Sequence, residues 1–170
     1  MNSVMKILNF IATAEVGIFP MKDAMDDFVD KLQEQIFEES KETYGEEVFS
    51  RWQNPRFMGK MTDASSVGRI TGPCGDTMEI YLRIRNDHIE EINFFTDGCG
   101  SSVACGSMAA ELAGGKGLDE AAHIGGETIL EALKGLPEEE VHCAKLAAET
   151  LQVALHEWML KKLKLENSKE

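Results

Sequence analysis

The chain has 170 residues and carries 17 lysines and arginines against 30 aspartates and glutamates, a formal net charge of −13. With 43% hydrophobic and 7% aromatic residues it has the apolar content of a globular protein, and it is long enough to bury one core. The acidic balance leaves no basic stripe to neutralise phosphates, which excludes nucleic acid as the main partner; four cysteines, spaced 25, 6 and 38 residues apart, are too few for a disulfide scaffold and form no C-x-x-C pair.

The first twenty residues are the most apolar stretch near a terminus, but one basic residue and a short apolar run make a poor signal peptide. No run of 18 apolar residues exists, so no spanning helix is predicted and the chain reads as cytoplasmic. From Met21 to about Trp52, apolar residues recur at Met25, Phe28, Val29, Leu32, Ile36 and Phe37. These i, i+3 and i+4 steps predict an amphipathic helix, with Tyr44, Val48 and Trp52 continuing it past Gly45. Asn54-Pro55 breaks it, and a loop runs to about Val67.

The middle of the chain is β. Residues 78–85 alternate, with Met78, Ile80, Leu82 and Ile84 on one face and Glu79, Tyr81, Arg83 and Arg85 on the other. Asn86-Asp87 is a turn signal, residues 89–96 supply the returning strand, and Arg69 to Thr71 supply a third. From Ser101 the pattern turns helical. A first helix carries Cys105, Met108, Ala109 and Leu112 on one stripe, two short helices follow over 118–124 and 127–133, and a long one runs from about Glu139 to Lys162. The fold class is therefore α+β: a small antiparallel three-stranded sheet with helices packed on one face, plus an N-terminal amphipathic helix extension. The expected domains are an extension over 1–43, a main domain over 44–163 and a tail over 164–170.

Pairing Asn86 with Ile89 across the turn brings Asp76 opposite Cys99, and cross-strand neighbours lie about 5 Å apart. Cys74 falls at the same end of the sheet. Glycines 72, 75, 98 and 100 flank both cysteines, as positions needing unusual dihedrals or close approach do. Cys143, preceded by His142, lies in the first turn of the last helix, where the helix N-terminus is expected to favour thiolate over thiol. Three cysteines with Asp76 or His142 form a soft ligand set suited to zinc or iron–sulfur chemistry. Cys105, on the apolar stripe, reads as a small core residue. His88, His123 and His156 read as structural or solvated, and Lys161, Lys162 and Lys164 as favourable charge at a helix C-terminus. A nucleophilic pair of His142 and Cys143 is disfavoured, because consecutive helical side chains do not face one another.

The stretches YGEEVFSRWQNPR (44–56), GPCGDTM (72–78), TDGCGSSVACGS (96–107) and LPEEEVHCAKLAAE (136–149) resemble the iron–sulfur cluster assembly scaffolds, IscU and the N-terminal domain of NifU. The resemblance runs from Tyr44 to about Lys162. It implies that Cys74, Cys99 and Cys143 hold a transient cluster, two-iron two-sulfide, with zinc in the cluster-free form. It makes Asp76 and His142 candidate fourth ligands, and Cys143 the acceptor of persulfide sulfur from a cysteine desulfurase. Further implied partners are an electron donor such as ferredoxin and apo iron–sulfur proteins, with a homodimer left open. The implied function is scaffold rather than enzyme, and a zinc-bound sulfurtransferase working on Cys143 is the alternative. The family's chaperone-recognition stretch often reads Leu-Pro-Pro-Val-Lys before His-Cys, whereas residues 136–140 here are Leu-Pro-Glu-Glu-Glu, which puts recognition by an Hsp70-type chaperone in doubt.

Overall fold

The computed structural model describes residues 24–168. The chain forms two compact units, Met1–Phe37 and Glu38–Glu170. Helix α1, Ala24–Tyr44, carries the predicted stripe, with Met25, Phe28, Val29 and Leu32 exposed. It stops at Tyr44 instead of continuing. Gly45 takes φ +79, its N–H closes on the carbonyl of Lys41 at 2.8 Å, and a separate helix α2, Glu46–Gln53, starts from there. Glycine takes this positive-φ conformation at little steric cost, so the chain leaves the helix at Gly45 despite the apolar spacing that runs through it. Among the described residues no helix is long and apolar enough to cross a membrane.

Three strands follow, β1 (Ser66–Thr71), β2 (Thr77–Arg85) and β3 (His88–Thr96), in an antiparallel sheet of order β1-β2-β3. Asn86 and Asp87 both have positive φ, 52 and 59, giving the two-residue turn whose twist suits a hairpin. The register differs from the expected one by two residues at the turn, where Arg85 pairs with His88, and by one beyond it, where Met78 pairs with Thr96. A bulge between Arg83 and Ile84 explains the local pattern, since Ile84 pairs with Ile89 while Arg83 pairs with Glu91, leaving Glu90 unopposed. Ile89 and Ile92, three residues apart, can therefore both face the core, and both are buried. The far edge of β3 is covered by the preceding loop. Phe94 N–H donates to Phe57 O at 2.9 Å, and Gly59 N–H donates to Phe94 O at 2.8 Å.

The inner face of the sheet is buried under α3 (Gly100–Ala113) and α6 (Val141–Asn167), with short helices α4 (Leu118–Ala121) and α5 (Gly126–Leu133) between them in sequence. Two glycines set the spacing. A Cβ on Gly68 of β1 would fall 2.2 Å from Thr150 O and 2.6 Å from Ala154 N of α6, and one on Gly106 of α3 would fall 2.4 Å from the Phe94 ring. The outer face is not fully solvated as the alternation suggested. Glu79 and Tyr81 are buried there, with Tyr81 donating to Glu79 and Lys60 Nζ 3.1 Å from the same carboxylate. Helix α6 runs five residues past the expected end at Lys162, so Lys161 and Lys162 are not at its C-terminus. They instead tie it to Ser65 O at 2.8 Å and to Asp87 at 2.8 Å.

Candidate metal centre

The open end of the hairpin carries the chemistry. Between β1 and β2, Gly75 has φ +92, Gly72 N–H donates to Asp76 O at 2.8 Å, and Gly75 N–H donates to Gly72 O at 3.0 Å. This tight turn exposes Cys74 and turns Asp76 toward the next connection. Across the sheet, β3 ends and Cys99 becomes the N-cap residue of α3. Asp76 Oδ2 accepts from Cys99 N–H at 3.3 Å. The one-residue change in register sets Asp76 beside Gly98 rather than opposite Cys99. A Cβ on Gly98 would lie 2.3 Å from Asp76 Oδ2, so this glycine is required for space and not for its dihedrals.

A residue absent from the sequence reading joins these groups. Ser102, fully buried, lies one helical turn after Cys99. Its Oγ donates to Asp76 Oδ2 at 2.7 Å, lies 3.5 Å from Cys143 Sγ, and accepts from Cys99 Sγ at 3.7 Å. A hydroxyl has one proton to give, and the charged, closer carboxylate takes it in preference to a thiol. Asp76, Cys99 and Cys143 thus meet on one serine. The spacing of Ser102 from Cys99 was the available signal. Among the described residues no three His, Cys, Asp or Glu side chains are already arranged to hold a metal ion, and the Ser102 hydroxyl occupies the space between them.

Cys143 corrects one expectation: it is buried, and its thiol is pushed up to about 12 where the helix start was expected to favour thiolate. Burial is the main cause, with the neighbouring sulfurs of Cys99 and Cys74 adding to it and the Ser102 contact opposing. Desolvation of a thiolate outweighs the field of the helix start. Cys74 thus lies within electrostatic reach of Cys143. Cys105 is buried in the core and its thiol is also raised, mainly by burial, in keeping with the packing role read from its stripe.

His142 and Cys143 do face one another, against the helical-spacing argument. His142 Nδ1 is 2.7 Å from Glu139 O and its Nε2 is 3.6 Å from Cys143 Sγ. A carbonyl only accepts, so Nδ1 carries the proton and Nε2 presents a lone pair to the thiol. Glu139, whose carbonyl holds Nδ1, lies in a 3-10 turn formed by Glu138–Glu140. The other expected bystanders are as read: His88 and His123 contact the carbonyls of Asn86 and Asp119.

Beside Cys99 lies a cavity of about 150 Å³ lined by Tyr44, Val48, Trp52, Gly100, Ser101 and Glu140. Glu140, the last of the three acids before the His-Cys pair, accepts from Tyr44 OH at 2.9 Å and from the Ser101 hydroxyl. The divergent acidic stretch therefore has a structural partner inside the chain.

Residues 43–165 match the family described as NifU-like N terminal domain. The iron-sulfur cluster assembly scaffold protein IscU 1 of Archaeoglobus fulgidus is 43% identical over 128 residues, covering 75% of this chain and 84% of that protein. The IscU scaffold of Aquifex aeolicus is 38% identical over 128 residues, covering 74% and 82%, and that of Escherichia coli is 34% identical over 124 residues, covering 70% and 96%. In fold, the chain is similar to a SUF-system scaffold from Fervidobacterium islandicum at TM-score 0.59 and 24% identity, covering 68% of this chain and 98% of that one. It is also similar to the N-terminal part of a NifU-like protein from Brucella abortus, at TM-score 0.54 and 18% identity, covering 71% and 97%. The matched span, the identities and the shared α+β architecture together establish that the chain belongs to the family of IscU proteins and NifU-like N-terminal domains.

Proposed function

We propose that this protein is a scaffold on which an iron–sulfur cluster is built and from which it is passed to apo-proteins, acting as a carrier rather than as an enzyme. The observation that supports this most directly is the meeting of Asp76, Cys99 and Cys143 around Ser102, with Cys74 on the adjoining turn. In this reading Cys74, Cys99 and Cys143 hold the cargo as thiolates, and Asp76 or His142 supplies a fourth, weaker ligand. A carboxylate is a harder and poorer partner for iron–sulfide than a fourth thiolate, as suits cargo that must leave. Zinc fits the same donors in the cluster-free protein.

Sulfur enters at Cys143. His142 Nε2, 3.6 Å away, accepts the Cys143 proton, and the resulting thiolate attacks the terminal sulfur of a cysteine desulfurase persulfide. The sulfur–sulfur bond to the desulfurase breaks as the one to Cys143 forms, and the desulfurase leaves as thiolate. Two electrons from a ferredoxin-like donor then reduce each transferred sulfur to sulfide. The four free cysteines suit a reducing compartment, so the protein is assigned to the cytoplasm. The acidic run 138–140 argues against dependence on the family's Hsp70-type chaperone.

The test is anaerobic reconstitution with iron, cysteine and a desulfurase, followed by measurement of iron, labile sulfide, zinc and the visible spectrum. Stoichiometric iron and sulfide, with two irons per site, are expected, and each of Cys74→Ala, Cys99→Ala and Cys143→Ala should abolish them. Zinc alone, with sulfur accepted on Cys143 and no iron bound, would shift the assignment to a sulfurtransferase.

A further inference from the structure

Two apolar stripes away from the cysteines are exposed in the single chain. The first is on α1, where Met25, Phe28, Val29 and Leu32 follow helical spacing and Phe28 is 61% exposed. The second is on the C-terminal turns of α6, where Met159, Leu160 and Leu163 share one side of the helix and Leu163 is 55% exposed. An amphipathic helix is stabilised mainly by burial of its apolar face, so two such faces in water call for an occupant. Charge identifies it. Over Ala24–Tyr44 seven acids stand against two bases, whereas residues 160–164 read Leu-Lys-Lys-Leu-Lys. Asp26, three residues before Val29, borders the first stripe, and Lys164, four residues after Leu160, borders the second. Unlike Lys162, which pairs with Asp87, Lys164 has no ionic partner among the described residues, and neither has Asp26. A stripe edged by acid complements a stripe edged by lysine, whereas two copies of α1 repel one another.

We propose that α1 of one copy of this chain packs on the C-terminal turns of α6 of a second copy, with Asp26 of the one beside Lys164 of the other. In a two-fold pair each copy gives its α1 and receives the other's, so the contact is made twice and both stripes are covered. Residues 24–42 precede the span that matches the family, so the pairing is a property of this chain. It involves none of the cysteines and does not depend on the scaffold reading.

Analytical ultracentrifugation of the full chain over a range of concentrations tests the pairing, with a chelator present so that no metal is shared between copies. A reversible monomer–dimer equilibrium is expected. Phe28→Glu and Leu163→Glu, both at exposed helical positions, should each weaken the dimer by about tenfold or more, with circular dichroism showing that the fold is kept. Asp26→Lys and Lys164→Asp should each weaken it by about tenfold, because like charges then meet at both contacts. An equimolar mixture of those two variants should associate as wild type does, since in the mixed pair opposite charges meet again at each contact. The inference is overturned if the wild-type chain stays monomeric at every concentration, if the dimer survives Phe28→Glu and Leu163→Glu, or if the mixture associates no better than either variant alone.

Discussion

The hydroxyl of Tyr44, at the end of α1, donates to Glu140 Oε1 at 2.9 Å, joining residues 96 positions apart on the side of Cys99. The bond raises the ionisation of Tyr44 above its ordinary range, with burial adding to the effect. The chain has two tyrosines, and the other, Tyr81, is pushed up to about 12 by burial and by Glu79. Alkaline titration of tyrosinate absorbance is therefore expected to show two steps, both above the ordinary value. Glu140→Gln should lower the earlier step and leave the later one in place. An earlier step that does not move would remove Glu140 as the partner of Tyr44.

Tyr81 also makes stability depend on pH. Its folded-state value lies above the unfolded value of 10, so the folded protein holds that proton more firmly. The contribution is present in full below pH 10 and is lost as pH rises toward about 12. Urea midpoints measured across that window should fall with pH, and Tyr81→Phe should flatten the fall. Equal slopes in the two proteins would show that another group governs the loss.

Thiol reactivity should divide the four cysteines into two pairs. Cys74 and Cys99 are exposed, whereas Cys143 and Cys105 are buried with raised thiol values. Since the thiolate is the nucleophile, alkylation of the metal-free protein at neutral pH should mark the first pair quickly and the second slowly. Peptide mapping by mass spectrometry reads the sites directly, and urea should render all four equally reactive. Rapid labelling of Cys143 in the folded protein would contradict its burial.

Gly68→Ala should destabilise the protein by about 3 kcal/mol, at the upper end of overpacking penalties. The new methyl meets the backbone of α6 at Thr150 and Ala154, which cannot turn aside as a flexible side chain could. Thermal and urea unfolding measure the loss. By contrast, Gly125→Ala meets nothing within 4 Å and should lie close to wild type.

Much of this was legible in the residues. The alternation over 78–85, the Asn86-Asp87 turn and the order of strands before helices gave the sheet and its helical cover. The glycine-flanked Cys74 and Cys99, and the His142-Cys143 pair, marked out the candidate site. Where sequence and structure differ there are two causes, one local to the backbone and one set by neighbours distant in the chain. The helix through Gly45 was drawn from side-chain spacing, while the stop lay in a backbone dihedral. Cys143 was judged by the helix beneath it, while the surrounding core decided its protonation.

What the sequence determined by itself, then, is the set of donors. Three cysteines, a carboxylate and a histidine, set in hairpin-end and helix-start contexts, point to soft-metal chemistry because residue type and local period are properties of the chain alone. What only the tertiary structure decided is how those donors are restrained. Burial closes Cys143, the missing Cβ of Gly98 admits Asp76, and the hydroxyl of Ser102, unremarkable in the sequence, comes between them. Desolvation and hydrogen-bond competition depend on which atoms occupy the same few ångströms, and only the packing of α3 and α6 on the sheet brings those atoms together.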